Sequence, residues 1–172
     1  MRQNRFYISD FDISKRETII SDKGILGQAV KVLRLGAGDT LTVFNGRDFS
    51  DALVEITEVK GNSMRVFTKA IYQNDHELSG EITLYQSLVK KDRFEIIVQK
   101  AVEIGVKKII PVVSDRTVKL NLDQTRIKKI VKEAAEQSGR AFLPEVLDSE
   151  YFKEAIGQTA SEVNMFFDPS GK

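Results

Sequence analysis

Between residues 81 and 144 the hydrophobic pattern keeps changing period, and this limits the fold more than any other feature. An apolar run at 81–88 gives way to a 3.6-residue stripe over 91–105. A short run at 108–113, a second stripe at 126–138 and a last run at 144–147 follow. Short apolar runs read as buried strands and the stripes as amphipathic helices. Strand–helix repetition with short connections predicts a parallel sheet with right-handed crossovers. Such sheets bind ligands beyond the carboxyl ends of their strands. The polar tips to examine are therefore 86–93, 114–119 and 168–172.

The first stripe is Phe94, Ile97, Val98, Ala101 and Val102, with Gly105 placed as the helix C-cap. The second is Ile127, Ile130, Val131, Ala134, Ala135 and Ser138, ended by Gly139; its outer face carries Arg126, Lys128, Lys129 and Lys132. Pro111 counts against a strand at 108–113, because proline removes a ladder donor. Beyond 147 the pattern predicts a short helix at 150–156 and a fourth strand at 163–167.

The first 73 residues follow another rule. Strands are expected at 5–8, 40–44, 52–59 and 63–72, with turns at Asn45-Gly46 and Gly61-Asn62. Residues 10–24 are polar and read as loop. A helix at 25–34, stopped by Gly36 and Gly38, would plug one end. Closely spaced strands with tight turns predict a small antiparallel barrel or meander. The expected layout is a barrel domain at 1–73, a polar linker at 74–80 and an α/β domain at 81–172.

Composition removes several chemistries. No cysteine is present among the 172 residues, so disulfides and thiolate metal sites are excluded. The single histidine, His76, cannot build a zinc site alone and reads as a solvated side chain in the linker. No apolar run reaches the roughly 18 residues of a membrane span, and the N-terminus lacks a signal-peptide core. A cytoplasmic protein is the expectation. Dinucleotide and P-loop fingerprints are absent. The net charge of +1 conceals a gradient: residues 90–140 carry 13 Lys and Arg against 7 Asp and Glu, while both flanks are net negative. A basic island is the footprint of a phosphate-rich partner, or a solvated helix face.

Within that island Lys90, Lys91 and Arg93 lie between a strand end and a helix start, where free N–H groups and the helix dipole favour anions. Residues 114–119 add Arg116, Lys119 and two hydroxyls. Arg140 follows a helix C-terminus, where it either caps carbonyls or faces a ligand. Glu136 and Gln137 occupy the last helical turn, where the dipole disfavours Glu; a partner such as Arg140 or Lys100 is expected. Gln86 bonds backbone or faces a bound base. Lys100 and Glu103 flank the first stripe.

Several segments carry a resemblance in order along the chain: RFY at 5–7, VLRLGAGD at 32–39, FNG at 44–46, QSLVKKDRFEIIVQKAVEIGV at 86–106, IPVVSDRTVKL at 110–120 and EAAEQSGR at 133–140. Together they resemble the bacterial small-subunit rRNA uridine-N3 methyltransferase family of the SPOUT superfamily. The resemblance implies an N-terminal PUA-like β-barrel. After it comes an α/β methyltransferase domain that closes in a trefoil knot, binds S-adenosylmethionine and forms a homodimer. The implied substrate is a uridine of 16S rRNA in the small subunit. RNA-facing or site-supporting roles are implied for Arg5, Arg34, Gln86, Lys90, Lys91, Arg93, Arg116, Lys119 and Arg140. A polar framework is implied for Lys100, Glu103, Glu136 and Gln137. No catalytic residue is assigned. Gln28 stands where members commonly carry histidine.

The family's cofactor segments, GPEGG and LGxRxLRxET, do not occur in these 172 residues. The resemblance therefore implies the first part of the methyltransferase domain, ending before the knot and inactive alone. A sheet stopped after its fourth strand would expose an edge and an apolar face. Two other readings stay open: a non-catalytic RNA-binding module, and an α/β protein whose basic island is only solvated.

Overall fold

The computed structural model describes residues 4–115, 117, 122–157 and 161–167. The N-terminal half is a five-stranded sheet in the order β1-β3-β4-β5-β2, built from β1 (Arg5–Tyr7), β2 (Glu17–Ile20), β3 (Thr40–Phe44), β4 (Ser50–Lys60) and β5 (Ser63–Gln73). Strands β3, β4, β5 and β2 are antiparallel neighbours, but β1 runs parallel to β3, so the sheet is mixed rather than antiparallel. Alternation drives the pairing: Val54, Ile56, Met64 and Val66 point into one core with Leu41 and Val43. Two register shifts in the hairpin of the 11-residue strands β4 and β5 add twist and let it curl over that core. Gly61, at φ +56°, opens the two-residue turn, as a type II′ hairpin requires.

Two expectations in this half are corrected. The polar stretch 10–24 contains β2, a four-residue edge strand whose Ile20 is buried while Ile19 faces solvent. The helix begins earlier than residue 25. Helix α1 (Lys23–Leu26) is capped by the Asp22 carboxylate, which accepts from the Ile25 N–H, and then widens into a π-helical turn, Gly27–Val32. Arg34, not Gly36 or Gly38, takes the first left-handed conformation after it, at φ +58°. For a residue with a Cβ that costs roughly 1–2 kcal/mol.

The second half is a parallel sheet. Strands β6 (Thr83–Ser87), β7 (Lys108–Val113) and β8 (Glu145–Val146) lie side by side, and β9 (Glu150–Tyr151) also pairs with β7. The crossovers are α2 (Lys91–Glu103) and α3 (Gln124–Ser138). Their predicted stripes bury Phe94, Val98, Ile127, Val131 and Ala135 around Ile109. Gly105 and Gly139 have positive φ just past the two helices, as C-capping residues do. Pro111 is accommodated in the central strand. The Lys107 and Ile109 carbonyls accept from β8 and its edge, and the Val112 carbonyl accepts from Leu88. By alternation, the missing N–H of Pro111 faces the stretch between β8 and β9, where the ladder on that side is interrupted.

The last elements depart from the pattern. Residues 150–151 are the strand β9, and the helix α4 is Phe152–Gly157. Residues 163–167 form no strand; Val163, Met165, Phe166 and Phe167 are 73–85% exposed. Their apolar character signals burial, but no described strand pairs with them. The segment 74–80 lacks regular structure, yet it is not a free linker: Asn74 is buried and Glu77 is tied to Arg140. His76 is exposed, with Nδ1 3.3 Å from the Asn74 side-chain oxygen.

Candidate nucleic-acid interface

At the carboxyl end of the parallel sheet β6 feeds directly into α2. Lys90 is the N-cap residue of α2, and no side chain caps the helix. Lys91 and Arg93 lie in its first turn, and with Lys90 they are exposed and form no ion pair with a described residue. Three cations without a described ion-pair partner thus gather at a helix N-terminus, with the exposed Asp92 among them, a setting suited to phosphate. Beside them, after β7, the Ser114 N–H donates to Thr117 Oγ1 at 2.8 Å and the Thr117 N–H to the Ser114 carbonyl, so this loop begins as a tight turn. Arg116 and Lys119 lie outside the described residues, as does the tip 168–172. Gln86, partly buried, donates its amide to the Ser87 carbonyl at 2.9 Å, the backbone-bonding alternative.

The structure turns Arg5 and Arg140 inward. Arg140 is 2% exposed, and its guanidinium binds both oxygens of Glu77, at 2.8 and 3.0 Å. Nη1 also donates to the Val102 and Val106 carbonyls, the C-terminal end of α2 rather than of its own helix. Arg5 grips Asp51 with two bonds of 2.8 Å and donates to the carbonyls of Ala135 and Arg140 at the end of α3, its guanidinium 3.6 Å from the centre of the Phe44 ring. Both arginines turn inward because a buried fork with five N–H groups satisfies a carboxylate and several carbonyls at once. Each joins the five-stranded sheet or the segment 74–80 to the α/β half.

Glu136 has other partners than those expected. Its Oε1 accepts from the Tyr7 backbone N–H at 2.9 Å, with the Lys132 ammonium 3.8 Å away. Lys100 instead bonds Glu103 at 2.7 Å and, with the Gln99 amide, holds that exposed carboxyl below the usual range. Burial raises the Glu136 carboxyl above its ordinary value of 4.5, against the Tyr7 N–H, Lys132 and Arg5 and with help from Glu133. The raised value means the folded state holds a proton that the unfolded chain has lost. The stability from this group is full below pH 4.5 and is lost as pH rises through the higher folded value. Glu136→Gln keeps an acceptor for Tyr7 without the buried charge. It is expected to raise the urea midpoint at pH 7–8, and the gain should shrink towards zero below pH 4.5.

The other predicted positions are scattered. Arg34 is exposed on the far side of the π-helical turn, and Gln137 is exposed at the end of α3. Gln137, Glu136 and Gln28 border two adjoining cavities. One, about 580 Å³, lies along α2 and α3 and is walled by Asp92, Glu95, Glu103 and Glu133. The other, about 280 Å³, lies between β1 and α3 and includes Asn4 and Leu33. Carboxylates dominate the larger, so its face repels phosphate; it runs the length of α2, starting at Asp92 between Lys91 and Arg93. Sequence reasoning missed Glu77, Asp51 and Asn74, the partners that neutralise or bridge the buried arginines. The only signal was a carboxylate and an amide within a short polar run. Among the described residues no cluster of acidic residues and histidine could hold a metal, and no helix is long and apolar enough to cross a membrane.

Comparison with known proteins places this geometry. Residues 76–172 match the model of an RNA methyltransferase domain. Ribosomal RNA small subunit methyltransferase E of Rickettsia conorii is 28% identical over 144 residues, 84% of this chain and 58% of that protein. Its Bacillus subtilis counterpart is 31% identical over 134 residues, 74% and 52% of the two chains. The chain thus spans little more than half the length of these relatives. A methyltransferase of Legionella pneumophila, solved with the cofactor SAM, superposes with a TM-score of 0.87 at 25% identity, covering 99% of this chain and 72% of that one. Ribosomal RNA small subunit methyltransferase E of Neisseria gonorrhoeae, solved with S-adenosyl methionine, gives 0.81 at 28% identity, covering 94% and 67%.

Proposed function

Because the chain belongs to the RNA methyltransferase family that it matches over residues 76–172, we propose that it is the RNA-engaging portion of an enzyme that methylates N3 of a uridine in small-subunit rRNA. The observation that carries this reading is the unpaired cation cluster Lys90, Lys91 and Arg93, set at a strand end and a helix N-terminus within the matched region. The small-subunit rRNA methyltransferases among the relatives support the substrate class. The same reading makes the first sheet a PUA-like RNA-binding barrel. The whole enzyme would be a cytoplasmic homodimer with a trefoil knot.

S-adenosylmethionine, bound by two of the structural relatives, would supply an electrophilic methyl group. The described residues do not fit it. The larger cavity lies along the helices with carboxylate walls, the smaller wedges between β1 and α3, and neither is lined by a residue of the parallel sheet's strands. The chain alone is therefore expected to be inactive. What these residues do is hold RNA. Uridine N3 is engaged in pairing within a duplex, so the target must be unpaired or flipped. Loss of its imide proton is favoured by nearby cations. Lys90, Lys91 and Arg93 fix phosphates and register, while base selection needs contacts they do not provide.

Filter binding to a 16S rRNA fragment across a salt series tests this. The unaltered chain should show a steep salt dependence. The triple variant Lys90→Ala/Lys91→Ala/Arg93→Ala should flatten the logarithmic slope by about 2 to 3. Salt-independent binding, or an unchanged slope in the variant, would sink the assignment. For the full enzyme, mass spectrometry of digested rRNA should find the added methyl on uridine N3; a methyl on another atom would overturn that specificity.

A further inference from the structure

We infer that Phe49 and Phe142 form a stacking platform for an unpaired base of a single-stranded RNA segment, a second contact at the opposite end of the parallel sheet from residues 90–93. The inference rests on the RNA-binding reading above and names a site within it.

Phe49 carries the observation. Its backbone sits at φ +47°, a left-handed conformation that is a strained outlier for a bulky side chain. The loop around it enforces that conformation. The Asn45 side-chain carbonyl accepts from the N–H groups of Arg47 and Asp48, and the Phe49 carbonyl accepts from the Asn74 N–H at 2.8 Å. Glycine would hold this position without strain, yet a phenyl ring is placed there and left 44% exposed. It meets Phe142 edge-on at 5.8 Å and 63°. Packing alone is a poor account of a ring that keeps so much of its surface in water.

Of the cations around the pair, one is left to meet a phosphate. The Arg140 guanidinium lies 4.9 Å and the Lys107 ammonium 5.6 Å from the Phe142 ring centre. Arg140 is neutralised by Glu77, and Lys107 shares a 3.2 Å ion pair with the exposed Glu81. Arg47, on the same loop as Phe49, is exposed and forms no ion pair with a described residue. Exposed aromatic faces beside cations bind single-stranded nucleic acid, because every base offers a π-face and every phosphate a charge. Phe142 precedes β8 and Lys107 precedes β7, which puts the platform at the amino end of the sheet. About 20 Å along the strands separates it from the cations at the carboxyl end, which lie on the other side of β7.

The test uses a short oligouridylate in which one base is 2-aminopurine, whose fluorescence is quenched by stacking. The unaltered chain should bind in a salt-dependent way and quench the probe. Phe49→Gly removes the ring and relieves the backbone, so its melting temperature should not fall. Its affinity should drop about tenfold, with the quenching lost, and Phe49→Tyr should restore both. If Phe49→Gly quenches and binds as the unaltered chain does, the platform is overturned alone. If the unaltered chain shows no salt-dependent binding, the platform falls together with the RNA reading.

Discussion

Replacing Arg140 with alanine is expected to lower the stability of the chain by about 3–5 kcal/mol, the range seen when one partner of a buried ion pair is removed. The side chains of Arg140 and Glu77 are 3% and 8% exposed, so little water reaches either. Loss of the guanidinium would leave the Glu77 carboxylate with only the Ala141 N–H, and would remove a donor from the Val106 carbonyl and from the Val102 carbonyl, which keeps the Gly105 N–H. In a chain of this length each kcal/mol moves the melting temperature by about 2–4 °C, which predicts a fall on the order of 10 °C by circular dichroism. Arg140→Lys should recover only part of the loss, since one ammonium cannot bind both carboxylate oxygens and two carbonyls at once. Arg140→Met combined with Glu77→Leu should lie above Arg140→Ala, because no buried charge is then left alone. A melting temperature for Arg140→Ala within a degree or two of the unaltered chain would mean that the pair contributes nothing net.

That residue also marks how far the sequence was legible. Arg140 past a helix end was readable as a carbonyl cap, but the helix it caps is the other one. Nothing in one-dimensional spacing brings residue 140 beside the end of α2. Helix stripes were legible because burial repeats with the helical period: Phe94, Val98, Ile127 and Val131 all point inward as the pattern demands. The parallel sheet followed from the alternation of elements. Strand β2 was hidden because a four-residue edge strand with one buried side makes too short a pattern. The need for a partner at Glu136 was visible from the helix dipole. Its identity was not, because the partner is the Tyr7 main-chain N–H, which every residue but proline carries and no side-chain pattern marks. Lys90, Lys91 and Arg93 could be placed from sequence because their role depends only on the local junction of strand and helix. Phe49 could not, since its strain arises from a loop whose geometry appears only in three dimensions.

Arg5→Ala is the second substitution with a large expected effect, and its consequence concerns cooperativity as much as stability. One apolar core gathers around Leu41, Val54 and Met64 in the first sheet, another around Phe94, Val98 and Ile109 in the second. Phe44, at the end of β3, belongs to the second core, and Tyr7 packs against it with ring centres 5.4 Å apart. Arg5 spans the seam, fixing Asp51 of β4 against the Ala135 and Arg140 carbonyls while covering the Phe44 ring. Asp51 is one-fifth exposed and keeps the Asn74 amide at 3.2 Å, so it is not stranded as Glu77 would be. The expected loss is therefore smaller, about 2–3 kcal/mol. Its distribution is the sharper test. Without Arg5 the two cores are held together mainly by Tyr7, Phe44 and the Asn74 bridge to the Gly139 carbonyl. Urea unfolding followed by circular dichroism should broaden or split. Amide exchange should show the backbone of one half opening before the other, as separate cooperative units do. If Arg5→Ala lowers the midpoint yet keeps one transition that all probes report together, the apolar seam couples the halves and the guanidinium only adds to it. If the transitions separate, Arg5 is what makes the two sheets unfold as one.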